Sequence, residues 1–135
     1  MKPAITVSWL DLERIERILD RLPAAQARAR DALLDELGRA EMVEPWEVPA
    51  DVVTMNSRVR FRFAGSDDEF TLTLSYPKDI RDDNEQLSVL TPVGTALLGL
   101  RIGDSMAWQR HDGRAFVVTV LAIEYQPERA GELHR

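Results

Sequence analysis

The chain has 135 residues, 44% of them apolar and none of them cysteine, which excludes disulfides and thiolate metal sites. No apolar run reaches the ~20 residues of a membrane-spanning helix, so no membrane association is expected. The net charge of −6, from 17 basic and 23 acidic residues shared between both halves, leaves no basic arm for direct sequence-specific nucleic-acid binding.

The N-terminal segment MKPAITVSWLDLER turns acidic and amphipathic, unlike a secretory signal, and the expected location is the cytoplasm. Ser8 sits where a helix N-cap belongs, with Asp11 at the third position, close to a capping box. Asp11 and Glu13 suit the positive end of the helix dipole. Leu12, Ile15, Leu19 and Leu22 recur at helical spacing, and Arg14 and Arg17 fall mostly off that stripe. Pro23 breaks the chain. A second helix is predicted from Ala24 to Met42, with Ala29, Leu33, Leu37 and Ala40 on its stripe and Leu34 beside it. Two such helices joined by a tight turn predict a short antiparallel hairpin over residues 1–43, packed as a coiled coil. Pro45 and Pro49 mark residues 44–50 as a linker, pinned by Trp46 and Val48, ahead of a second domain over residues 51–135.

That second domain starts with strands. Val59, Phe61 and Phe63 alternate with Arg58, Arg60 and Arg62; Phe70, Leu72 and Leu74 alternate with Thr71, Thr73 and Ser75. The two runs form a hairpin, and the arginines read as a solvated face paired across to Thr71, Thr73 and Glu69, with contact to an acidic patch on a partner as the alternative. A polar loop carrying Asp79, Asp82, Asp83 and Glu85 follows, readable as a solvated turn or as a partner contact. After a strand at Leu87–Leu90, Thr91-Pro92 is a helix start, and VGTALLGL is apolar enough to lie buried in the sheet. SMAWQ, the turn His111-Asp112-Gly113 and the interior strand AFVVTVLAIEY complete an antiparallel sheet wrapped on one short helix, before a frayed tail. The fold class is therefore α+β.

The run LSVLTPVGTALLGLRIGD together with VLAIEY resembles the FKBP-like C-terminal domain of the bacterial transcript-cleavage factors GreA and GreB. The likeness extends across DVVTMNSRVRFRF, EYQPERAG and the short helical pair to the small Rnk relatives, the regulators of nucleoside diphosphate kinase. The resemblance implies docking on RNA polymerase at the rim of its secondary channel. The family's contact loop corresponds to Leu90, Thr91, Pro92, Val93 and Gly94, with Val93 pointing outward and Asp82 and Asp83 beside it. It also implies a hairpin reaching inward, which in the cleavage factors carries paired acids that hold magnesium. Here the tip is Asp20, Arg21, Leu22 and Pro23, with Asp20 as its one acid and Arg28 and Arg30 nearby. A hard divalent cation needs several oxygen ligands, which adjacent arginines oppose.

No metal, cofactor or cleavage activity is therefore expected. The expected protein is a non-catalytic, monomeric regulator that binds RNA polymerase and competes with Gre-type factors. Two enzymatic alternatives stand beside it: a Gre-type stimulator of transcript cleavage, and an FKBP-like prolyl isomerase. The second would need an open pocket lined from among Phe61, Phe63, Phe70, Tyr76, Trp108, Phe116 and Tyr125, most of which face the core by strand alternation. His111 and His134 read as a turn and a tail residue, without ligand spacing. No residue pattern points to contact with nucleoside diphosphate kinase, so any effect there is expected to be indirect.

Overall fold

A computed structural model describes residues 3–82, 84–110 and 113–131. The chain opens with strand β1 (Thr6–Ser8), helix α1 (Trp9–Leu19), helix α2 (Ala27–Gly38) and strand β2 (Glu41–Val43). β1 and β2 pair in parallel, which their two-helix crossover permits. Strands β3 (Arg58–Phe63), β4 (Glu69–Ser75) and β5 (Gln86–Ser88) lead into helix α3 (Pro92–Leu97), and β6 (Ser105–Gln109) and β7 (Ala115–Tyr125) follow. The five strands form one sheet in the order β5-β4-β3-β7-β6.

The α+β class and the helix buried against the sheet match the sequence reading; Gly94, Thr95, Ala96 and Leu97 of α3 are all buried. The expected pairing of the arginine face with Thr71, Thr73 and Glu69 also holds, in a register that sets Arg58 opposite Thr73, Arg60 opposite Thr71 and Arg62 opposite Glu69. β7 lies between β3 and β6, an interior position that its apolar composition required. One correction concerns the sheet itself, which is not wholly antiparallel. β5 runs parallel to β4, because the Pro77–Asp79 3-10 turn and the polar loop after it carry the chain back to the start of the sheet.

The N-terminal elements also differ from expectation. α2 stops at Gly38 rather than Met42, and the residues after it become β2. Each helix is about three turns long, too short to be stable without tertiary packing. That packing comes mainly from outside the pair: α1 lies chiefly on β1, and α2 on α3. Ile15, Leu19, Leu33 and Leu37 belong to the same core as Val53, Met55, Leu97 and Val118, so the stripes feed a common interior instead of a two-helix seam.

Several polar contacts tie the halves together. Ser8 caps α1 as predicted, its hydroxyl accepting the Asp11 N–H at 3.1 Å. The Asp11 carboxylate does not close a capping box, however; it accepts the backbone N–H of Met55 at 3.1 Å. Arg39 grips the buried Glu36 through contacts of 3.0 and 2.8 Å and donates to the Pro3 carbonyl at 2.7 Å. Trp46 does not pin the connector, being 70% exposed. That role falls to Gln126, buried, whose amide donates to the carbonyls of Pro49 and Val52 at 2.9 and 2.7 Å. The start of the tail is tied down as well: Glu128 accepts from the Thr54 hydroxyl at 2.8 Å, and Arg129 donates to Ile123 at 3.0 Å. The predicted turn at His111-Asp112, and His134, lie outside the described residues.

Candidate functional site

The loop between β5 and α3 is braced from within. The Thr91 hydroxyl accepts the Gly94 N–H at 3.1 Å and donates to the Ser88 carbonyl at 2.7 Å. The Leu90 N–H reaches the Ser88 hydroxyl at 3.1 Å, and the Thr95 hydroxyl donates to Val89 at 2.7 Å. Pro92 opens the helix where its missing N–H is harmless. Gly94 is needed by close approach: a Cβ there would lie 2.1 Å from the Ser88 carbonyl oxygen. The loop is thus held in a fixed shape.

Its side chains are less exposed than expected. Leu90, Thr91, Pro92 and Val93 are half-buried, and Val93 packs partly on the core instead of pointing freely outward. The physical reason is the length of α3, six residues, less than two turns sunk into the sheet, so each of its faces meets a neighbour. Asp82 is exposed and occupied locally, its carboxylate accepting the Asn84 N–H at 2.9 Å. It precedes β5 whereas the Leu90–Gly94 loop follows it, so the strand lies between the two in the chain. Asp83 lies outside the described residues.

Two cavities flank the loop. One, of about 610 Å³, opens between α2 and β6; Leu90, Pro92 and Trp108 line it, with Arg28 and Arg110 as its cations. The other, of about 800 Å³, lies between α1 and the Pro77–Asp79 turn; Arg14, Arg17, Arg21, Leu22, Tyr76 and Lys78 are in its wall. Leu90 belongs to both. The fold therefore brings Arg21 and Leu22 of the predicted hairpin tip to the same cavity as Leu90, the first residue of the loop before α3. Asp20, the helix C-cap, and Pro23 are exposed and line neither. Among the described residues, no group of three or more acids and histidines is placed to hold a metal ion.

Beneath the second cavity lies a buried polar cluster that sequence reasoning missed. Asp11 is 3% exposed, and its pKa is raised from 3.8 to about 7. Burial is the main cause and the Glu128 carboxylate adds to it, while the Met55 N–H and the Arg14 guanidinium oppose it. Tyr76 is also buried, and its phenol is pushed up, first by burial and then by the neighbouring Asp11. The Tyr76 hydroxyl sits beside Asp11 and Arg14 yet makes no hydrogen bond of good geometry. The signal for the cavity's cationic wall was present in the sequence, in Arg14, Arg17 and Arg21 at spacings of three and four. Its opposite wall was not, because Tyr76 and Lys78 arrive through long-range packing.

The four phenylalanines cluster together, while Trp108 and Tyr76 each line one of the two cavities. Phe61, Phe63, Phe70 and Phe116 pack on one another with ring centroids 5.8–5.9 Å apart, and none of them lines either cavity.

A helix sunk in a five-stranded sheet, a braced loop at its start and a short helical pair beside it define a class. Residues 48–125 match the family described as transcription elongation factor GreA/GreB, C-terminal, and residues 3–43 match the Rnk N-terminus. The chain belongs to the Rnk branch of the GreA/GreB transcription elongation factor family. Among its relatives is the regulator of nucleoside diphosphate kinase of Escherichia coli K12, 50% identical over 131 residues, which span 97% of this chain and 96% of that protein. A solved structure described as a prokaryotic transcription elongation factor GreA/GreB from Nitrosomonas europaea is 48% identical, with a TM-score of 0.72 over 92% of this chain and all of that one. The likeness to GreA itself is more distant: the protein of Syntrophotalea carbinolica is 30% identical over 55% of this chain and 47% of its own length.

Proposed function

We propose that this protein is a non-catalytic regulator of transcription that binds RNA polymerase at the rim of the secondary channel and competes there with Gre-type factors. Membership of an elongation-factor family supports the kind of partner. The observation that carries the docking assignment is the braced loop, in which Leu90 and Pro92 face open cavities while Thr91 and Gly94 fix the backbone. A rigid apolar edge framed by Arg28, Arg110 and Arg21 suits an interface with a small apolar anchor and a charged rim. The sheet wrapped on α3 is read as FKBP-like and the helical pair as a blunt finger at the channel mouth, with the protein acting as a cytoplasmic monomer.

The absence of cleavage belongs to the same reading. Asp20 stands beside Arg21, and Asp31 is bonded to Arg30 at 3.3 Å, so each tip-proximal acid has a cation for a neighbour. Any influence on nucleoside diphosphate kinase, as the name of the Escherichia coli relative suggests, would follow indirectly from altered transcription.

The test is co-purification with RNA polymerase and displacement by GreA. Pro92→Asp keeps a residue that suits the first helical turn while placing charge on the docking edge. It should abolish retention on polymerase with little change in thermal stability. Undiminished retention of that variant would remove the docking assignment; transcript cleavage by the purified protein with stalled polymerase would remove the non-catalytic one.

A further inference from the structure

The larger cavity has a chemistry that polymerase docking leaves unexplained. Arg14 and Arg17 extend from α1, Arg21 follows it, and Lys78 lies in the facing wall, against a single lining carboxylate, Asp79. In a chain of net charge −6, that is a local reversal of sign within one concavity. Arg17 is bridged to Glu13 at 2.6 Å, but both side chains are mostly in solvent, so an incoming anion can replace this screened pair.

A second observation is independent of charge. Tyr76 lines the same cavity at 3% exposure, and its hydroxyl lacks a well-aligned partner. It stands beside Asp11 and Arg14, so the polar cluster beneath the wall forms part of the floor of the hollow. Asn56, held at a φ of 67°, contributes an amide to the same wall.

We propose that this cavity binds a multiply charged phosphate anion, a di- or triphosphate group, with Arg14, Arg17, Arg21 and Lys78 as counter-charges. Guanidinium forks match paired phosphate oxygens, and a volume of about 800 Å³ falls within the range of small-ligand sites. The cations converge on one hollow; they do not run along a surface as tracking a nucleic-acid backbone would require. The ligand would bridge α1 to the Pro77–Asp79 turn. The site adjoins the proposed docking edge and shares Arg21 and Leu90 with it, but anion binding is measured without polymerase.

Titration calorimetry on the full chain tests it, using inorganic triphosphate, ATP and orthophosphate at low and high salt. Triphosphate should bind at one saturable site, weaken with salt, and exceed orthophosphate by about tenfold or more. Arg21→Glu and Lys78→Glu, both at exposed positions, should each weaken binding about tenfold. Arg62→Ala, on the exposed face of β3, should change nothing. ATP binding as well as triphosphate identifies the bare phosphate group as the determinant, and tighter ATP binding identifies a nucleotide as its source; either supports the site. No binding of millimolar triphosphate, full affinity in the Arg21→Glu/Lys78→Glu double variant, or binding of an acidic peptide in preference to triphosphate overturns it.

Discussion

Ile5 lies directly against the backbone of Gly99: a Cβ built on that glycine would sit 2.7 Å from the Ile5 Cβ. Gly99 has a φ of +85°, its carbonyl accepts the Thr6 N–H at 3.2 Å, and its own N–H donates to Val53 at 2.9 Å. One residue after α3 thus receives both the first strand and the segment that follows the connector.

Gly99→Ala should therefore be strongly destabilising. The substitution is strained by its φ and collides with Ile5 and the Thr6 carbonyl, for a combined loss of roughly 2–4 kcal/mol. Thermal unfolding should shift down by about 6–15 °C. A melting temperature within a degree or two of the parent would contradict the close approach of β1 to this residue.

The same measurement separates two other glycines. A Cβ on Gly94 would strike the Ser88 carbonyl at 2.1 Å, so Gly94→Ala must push α3 away from its braced loop, at a loss of roughly 2–4 kcal/mol. Gly38, at the end of α2, has nothing within 4 Å and no left-handed backbone, so Gly38→Ala should stabilise by about 0.5–1 kcal/mol. Effects of the same sign at both positions would be inconsistent with this geometry.

Asp11 predicts an unusual pH dependence. Its pKa is 3.8 when unperturbed and about 7 in the fold, so between these values the folded chain carries the extra proton. Stability contributed by the protonated carboxyl is full below about pH 4, falls as pH rises towards 7, and is absent above it. At ~1.4 kcal/mol per pH unit the ceiling on this loss is roughly 4 kcal/mol. Urea unfolding of Asp11→Asn, in which the side chain stays neutral and its oxygen can still accept the Met55 N–H, should show a flatter profile from pH 4 to 7. A parent protein whose stability rises steadily over that interval, with no difference in the variant, would exclude a proton on Asp11.

Glu36 is 2% exposed and held by Arg39, which also reaches the Pro3 carbonyl. Arg39→Met strips the guanidinium from a buried carboxylate and should cost about 3 kcal/mol. Glu36→Gln added to it should restore part of that loss, because the buried charge is removed. Equal stabilities for the single and double variants would mean that the pair is better solvated than its burial indicates.

What the sequence revealed was whatever local chemistry decides. Ser8 and Thr91 cap their helices as their neighbours predict, since a cap needs only an oxygen and an N–H three residues away. The β3–β4 register follows from alternation, because slipping by one residue would turn Phe61 out and Arg60 in. What stayed hidden was long-range. β1 and β2 are three residues each, too short for a period to show, and their parallel pairing depends on the two helices between them. Asp11 had a sufficient local explanation at the start of α1, so nothing announced that its carboxylate faces Met55 and lies near Glu128. Of the two cavities, the Arg14, Arg17 and Arg21 face was legible as a spacing, but Tyr76 and Leu90 reach it only when the sheet closes.

Leu22 is packed partly against the common interior, and Arg21 shares a wall with Leu90. The end of the finger is consequently seated on the body and cannot sweep as a lever about the prolines at 45 and 49. Lengthening it would lift that seat and open the hollow beneath, so its reach is fixed by the same packing that stabilises it.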